Sequence, residues 1–195
     1  AEVVVTPTTA DGWSEVSEKF STKWNFHHSL GALDGKHVRI LKPAKSGSQY
    51  YNYKQYFSMV LFALVDADYK IIWADVGTPG SSSNCSIFNS SQLLEAIDDG
   101  SLDFPPAQPL PGDNEDSPYF LIGDDAFPLR TDMMKPFSRR NLTVEERIFN
   151  YRLSRARRVV ENAFGMLAMR FRVFTTEMRQ HPNTARNIIM ACVCL

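Results

Sequence analysis

The spacing of apolar and polar positions divides the chain into segments of two different periods. Trp13, Val16, Phe20 and Trp24 recur at helical spacing and predict an amphipathic helix over residues 12–23. Residues 30–41 carry apolar β-formers around Asp34 and predict a strand, and residues 57–65, rich in β-branched and aromatic side chains, predict a second. Asp66-Ala67-Asp68 turns the chain back into a third strand over 69–76, which makes a hairpin. Gly77-Thr78-Pro79-Gly80 and the three serines after it read as a loop. Residues 87–97 read as a helix ended by Asp98-Asp99-Gly100. The acidic stretch 104–118 holds five prolines and predicts an extended surface loop. A short buried strand over 119–122 then runs into Gly123-Asp124-Asp125.

The longest element starts at Thr143, with Glu146 three residues later as the second half of a capping box. Helix formers continue to about Phe171, with Phe149, Val160, Phe164, Leu167 and Phe171 as the apolar stripe. A short strand over 173–175 and a closing helix over 184–195, after His181-Pro182, complete the prediction. Strands followed by a further strand and a long helix imply an α/β or α+β sheet with helices packed against it.

A chain of 195 residues, 44% of them hydrophobic, can bury one substantial core. No apolar run approaches the ~18–20 residues that cross a bilayer, so no membrane association is expected. The first ten residues lack the basic and apolar regions of a signal peptide. Cys85, Cys192 and Cys194 offer neither a disulfide framework nor zinc-ligand spacing and predict free thiols. The chain stops inside an apolar run, residues 187–195, as expected of a fragment whose flanking segments lie outside it. The net charge of −1 conceals a division: no Lys or Arg falls between Lys70 and Arg130, whereas arginines crowd residues 130–172. That division lets an anionic ligand meet one surface.

Asp34 and Asp124 sit where strands are expected to end, and Glu161 lies within the arginine-rich helix. Carboxylates on rigid elements suit hard cations such as Mg²⁺, which prefer oxygen ligands. A pair of such ions activates a nucleophile and stabilises the leaving oxygen of a phosphodiester. Taken alone, the same residues read more readily as strand-end turn residues and an exposed i,i+4 pair between Arg157 and Glu161 than as catalytic ligands.

Four longer motifs separate these readings. Leu30-Gly31-Ala32-Leu33-Asp34-Gly35-Lys36-His37-Val38 resembles the G-x-x-D-G-T/K-H strand of PIF/Harbinger transposases. Asp75-Val76-Gly77-Thr78-Pro79-Gly80-Ser81 resembles their DVGxPGS segment, and Gly123-Asp124-Asp125-Ala126-Phe127-Pro128-Leu129 their GDxxYPL, with Phe127 for Tyr. Residues 149–165, FNYRLSRARRVVENAFG, are similar to their carboxy-terminal signature almost word for word. The resemblance runs from about Trp13 to the end of the chain. It implies an RNase H-like mixed sheet with flanking helices, with residues 1–28 as a helical segment packed on the core and 29–195 as the DDE nuclease domain. It also implies a catalytic triad of Asp34, Asp124 and Glu161 holding two Mg²⁺ or Mn²⁺ ions.

Two positions depart from the family pattern. The family places His-Asp after the Gly-Ser loop, and its Asp is sometimes counted as a metal ligand; here the pair is Ser83-Asn84, so Asn84 would offer a carbonyl oxygen without charge. Ala168 stands where the family often carries Lys. Both departures also suit an alternative function, a domesticated module of weak or absent catalysis that binds DNA or protein. A small-substrate phosphatase finds no support, because no phosphate-cradling glycine loop is present.

Arg147, Arg155, Arg158 and Arg170 can fork onto DNA phosphates, and Lys36, with His37 and Arg39, can extend that surface. Tyr50, Tyr51, Tyr53 and Tyr56 read as strand-edge packing before base stacking, and His27-His28 as a surface pair. The resemblance further implies a Myb-like DNA-binding partner and a nuclear location, with the cytoplasm and homo-oligomers left open. The acidic proline-rich loop 104–118 is the candidate contact for such a partner.

Overall fold

The computed structural model describes residues 4–195. Thr9 accepts a hydrogen bond from the Gly12 amide and so starts α1 (Ala10–Trp24); Asn25, in the left-handed conformation, closes it. β1 (Ser29–Arg39), β2 (Ser58–Val65) and β3 (Ile71–Pro79) follow as an antiparallel meander. Two short helices, α2 (Asn84–Asn89) and α3 (Gln92–Asp98), lead to a two-residue ladder of β4 (Gln108–Pro109) with β5 (Asp116–Ser117). β6 (Phe120–Ile122) runs parallel to β1, and β7 (Met133–Met134) parallel to β6. The long helix α4 (Val144–Arg170) and the final α5 (Pro182–Val193) complete the chain. The main sheet has the order β3-β2-β1-β6-β7, an RNase H-like mixed sheet flanked by helices, as the sequence implies.

The sheet separates two apolar layers. Ala32 and Val38 of β1, and Ile40 just after it, pack with Leu153, Ala156 and Val160 of α4 and with Ile189 of α5. Leu30 and Leu33 pack on the other side with Trp13, Phe62, Phe88 and Phe127. All eight residues of β2 are buried, so this central strand reads as a continuous apolar run instead of an alternation. Trp13 is fully buried and its indole N–H donates to the Leu102 carbonyl at 2.7 Å, tying α1 to the segment after α3.

Several expectations need correction. The single helix over 87–97 is two helices. The Ser90 and Ser91 hydroxyls donate to carbonyls of α2, and the Ser91 side chain then caps α3 by accepting from the Leu94 amide. The loop expected from Gly77 onward instead extends β3 as far as Pro79. The register shifts between Val60 and Leu61, and Gly77, at φ +123°, bulges at that shift beneath Arg186. Pro79 is tolerated because β3 is an edge strand. The strand expected over 173–175 is a 3-10 turn at Arg172–Phe174, with the Thr175 hydroxyl bonded to the Arg172 carbonyl. His28 is buried, at a positive φ, and stacks on Tyr119, whereas His27 is half-buried. No sequence signal announced β7.

Candidate active site

The parallel pairing of β1 with β6 sets Ala32 opposite Ile122. Two residues further along each path stand Asp34 and Asp124; Asp124 lies just past the end of β6, but Asp34, expected at a strand end, lies inside β1, which continues to Arg39 because β2 goes on pairing with it. In β1, Asp34 lies on the α4 side. The α4 residues Arg157 and Glu161, one turn apart, flank the buried stripe of that helix.

Arg157 connects the two elements. Its Nη1 lies 3.6 Å from Asp34 Oδ2, and its Nη2 donates to Glu161 Oε1 at 2.8 Å. Asp34 and Glu161 are therefore held on one guanidinium. The other oxygen of Asp34 accepts from the Gly35 amide at 2.7 Å and from Asn84 Nδ2 at 3.0 Å. Ser83 caps α2 and places Asn84 in its first turn, directly over β1. Gly35 is required there: a Cβ would collide with Asn84 Oδ1 and press on Val60. Asp124 is braced by its own turn, with Oδ1 accepting from the Ala126 amide at 2.9 Å.

Burial pushes the Asp34 carboxyl above the ordinary carboxylate range, and the Asp124 charge adds to the rise; the Gly35 amide, Arg157 and Asn84 act in the opposite direction. The net rise means that the loss of solvent around Asp34 outweighs what the Gly35 amide, Arg157 and Asn84 restore to its charge. A hard divalent cation would relieve that imbalance, and Asp34 with Asp124 supplies the oxygen donors it prefers. The third acid is not gathered with them: among the described residues no three His, Cys, Asp or Glu side chains form a metal-holding group. Glu161 instead faces Arg157, half exposed. Asn84 donates to Asp34 through its amide nitrogen, so in this arrangement it orients that carboxylate.

The basic residues spread around the site unevenly. Lys36 is half-buried above the Phe164 ring, and burial with Lys54 nearby lowers its pKa. His37 bonds Ser58 at 2.9 Å, Asn52 donates to the same hydroxyl, and Arg39 stacks on Tyr56. Arg147 and Arg158, three turns apart on α4, share the Glu161 side of the helix; Arg155 and Arg170 fall on other sides. In the sequence, Arg157 is visible only as the i,i+4 partner of Glu161. Its bond across to Asp34 joins residues far apart in the chain and has no local signal.

The family described as DDE superfamily endonuclease matches residues 33–195, most of the chain. Among curated proteins, "Protein ALP1-like" of Arabidopsis thaliana is 27% identical over 184 residues, which cover 93% of this chain and 45% of that relative. The chain thus spans less than half the length of the curated relative it matches. No solved structure matches it. With this match over most of its length, its sheet order and its Harbinger-type motifs, the chain belongs to the DDE superfamily endonucleases.

Proposed function

We propose that this domain cleaves phosphodiester bonds of DNA with divalent metal ions, Mg²⁺ or Mn²⁺, held by Asp34, Asp124 and Glu161. The observation that carries this reading is that Asp34, within β1, and Asp124, just past β6, each stand two residues beyond the Ala32–Ile122 pair, close enough for the Asp124 charge to act on the raised Asp34 carboxyl. When bound, the ions supply an activated water or hydroxyl and stabilise the leaving oxygen. The chain's own part is positional. The β1–β6 register carries the two aspartates in the same direction, the Gly35 amide and Asn84 fix the Asp34 carboxylate, and Arg157 links Glu161 on α4 to Asp34. Arg147 and Arg158, on the Glu161 side of α4, and Lys36 beside Asp34 would contact the phosphates flanking the cut. Arg155 and Arg170 would serve only a duplex that wraps further around the helix.

Plasmid nicking in Mg²⁺ and Mn²⁺ tests this. Asp34→Ala, Asp124→Ala and Glu161→Gln should each abolish cutting, and cutting that survives Asp34→Ala would overturn the assignment.

A second reading has its own observation. Asn84 stands where the family carries an acid, and Arg157 engages two of the three carboxylates, which suits a domesticated module that binds DNA or protein without cutting. Absence of Mn²⁺ binding with retained DNA binding would favour it. A nuclear location, a Myb-like partner docking on the 104–118 segment and homo-oligomer formation belong to the same proposal. Deleting that segment in a pull-down would test the partner contact.

A further inference from the structure

We propose that Arg157 is a resident counter-cation of the acidic site, holding Asp34 and Glu161 together when no metal is bound and leaving when metal arrives. The inference rests on the metal-dependent reading above and concerns how the site is kept before it is loaded. Arg157 contacts both acids through different nitrogens of one planar group, from β1 on one side and from one turn along α4 on the other. It is mostly buried, its side chain 21% exposed. Its neighbours Arg155 and Arg158 form no ion pair among the described residues, so the pairing is particular to this position.

A guanidinium does not give up its proton at any pH a protein survives. Unlike a lysine or histidine, Arg157 cannot make room for another cation by becoming neutral; it has to move. Both the arginine and a divalent ion would seek Asp34 Oδ2 and Glu161 Oε1, and like charges at that range repel strongly in a partly desolvated site. The two contacts differ in strength. The bond to Glu161 is short and lies toward solvent, whereas the approach to Asp34 is long at 3.6 Å. The Asp34 contact is therefore the one that yields first, with the flexible arginine stem swinging outward along α4.

Removing the resident charge should tighten metal binding, the opposite of what loss of a merely structural ion pair would do. Calorimetric titration of Mn²⁺ into the wild-type chain, Arg157→Met, Arg157→Gln and Arg157→Lys tests this, with Asp34→Asn marking heat that belongs to the site and circular dichroism confirming the fold. Both neutral variants should bind Mn²⁺ about tenfold more tightly, and Arg157→Lys, which keeps the charge, should stay near wild type. Binding by a neutral variant where the wild type shows none would support the proposal most strongly. Wild-type binding that Asp34→Asn abolishes but a folded Arg157→Gln leaves unchanged or weaker would overturn the inference and leave the metal site standing. Absence of site-specific heat in every variant would overturn both.

Discussion

Asp34 and Asp124 stand two residues beyond the Ala32–Ile122 pair of two parallel strands, and their proximity is a property of sheet register before it is one of side chains. A slip of one residue would turn one acid to the opposite face.

Asp34→Asn should stabilise the metal-free chain while removing its chemistry. Burial and Asp124 hold the Asp34 carboxyl above its ordinary value, so folding favours the protonated acid. The stability it lends is full below the ordinary carboxylate pKa and is lost as pH rises through the folded-state value. At pH 7 without metal the variant should melt ~2–4 °C higher, equivalent to about 1 kcal/mol, and the difference should close as pH falls toward the carboxylate range. A thermal melt series shows it; an equal or lower melting temperature at pH 7 contradicts it.

Asn84→Asp should exchange stability for affinity. The amide now donates to Asp34 at 3.0 Å, and an aspartate would set a second negative charge there instead. Without metal the cost should be about 1–3 kcal/mol, the usual penalty for losing a partner of a buried charged group. Added Mn²⁺ should raise the melting temperature of this variant more than that of the wild type.

Gly35→Ala should disturb the site through packing alone. Its Cβ would displace Asn84 and press on Val60, an overpacking cost of about 1–3 kcal/mol, visible in urea denaturation. Wild-type stability would mean that Asn84 moves aside freely.

Trp13→Phe should separate ring packing from the indole bond. Losing the donation to the Leu102 carbonyl should cost about 1–2 kcal/mol, and Trp13→Ala, which also empties a fully buried site, about 3–5 kcal/mol. Comparable losses in both variants would assign the whole effect to the hydrogen bond.

Arg147→Ala and Arg158→Ala should each lower the log–log salt slope of DNA binding by about one, while Arg170→Ala leaves it unchanged. The distinction rests on helix phase, since only the first two share the Glu161 side of α4. Fluorescence anisotropy against salt concentration measures all three, and an equal effect at Arg170 would place the duplex elsewhere.

The chain's own pattern determined the elements whose signals are local. The capping box at Thr143 and Glu146, the hairpin through Asp66, the apolar run of β2 and the three acids with their surrounding motifs are all legible without coordinates. Only the tertiary structure decided what depends on meetings between distant segments. It broke the 87–97 helix because Ser90 and Ser91 bond their own backbone, carried β3 past Gly77 because Met59 and Val60 were there to pair, and buried His28 against Tyr119. It also laid Arg157 between Asp34 and Glu161, a contact between one helix and one strand more than a hundred positions apart. Periodicity and capping are properties of neighbours along a chain. Register, burial and the sharing of one charge by two carboxylates exist only once separate segments occupy the same space.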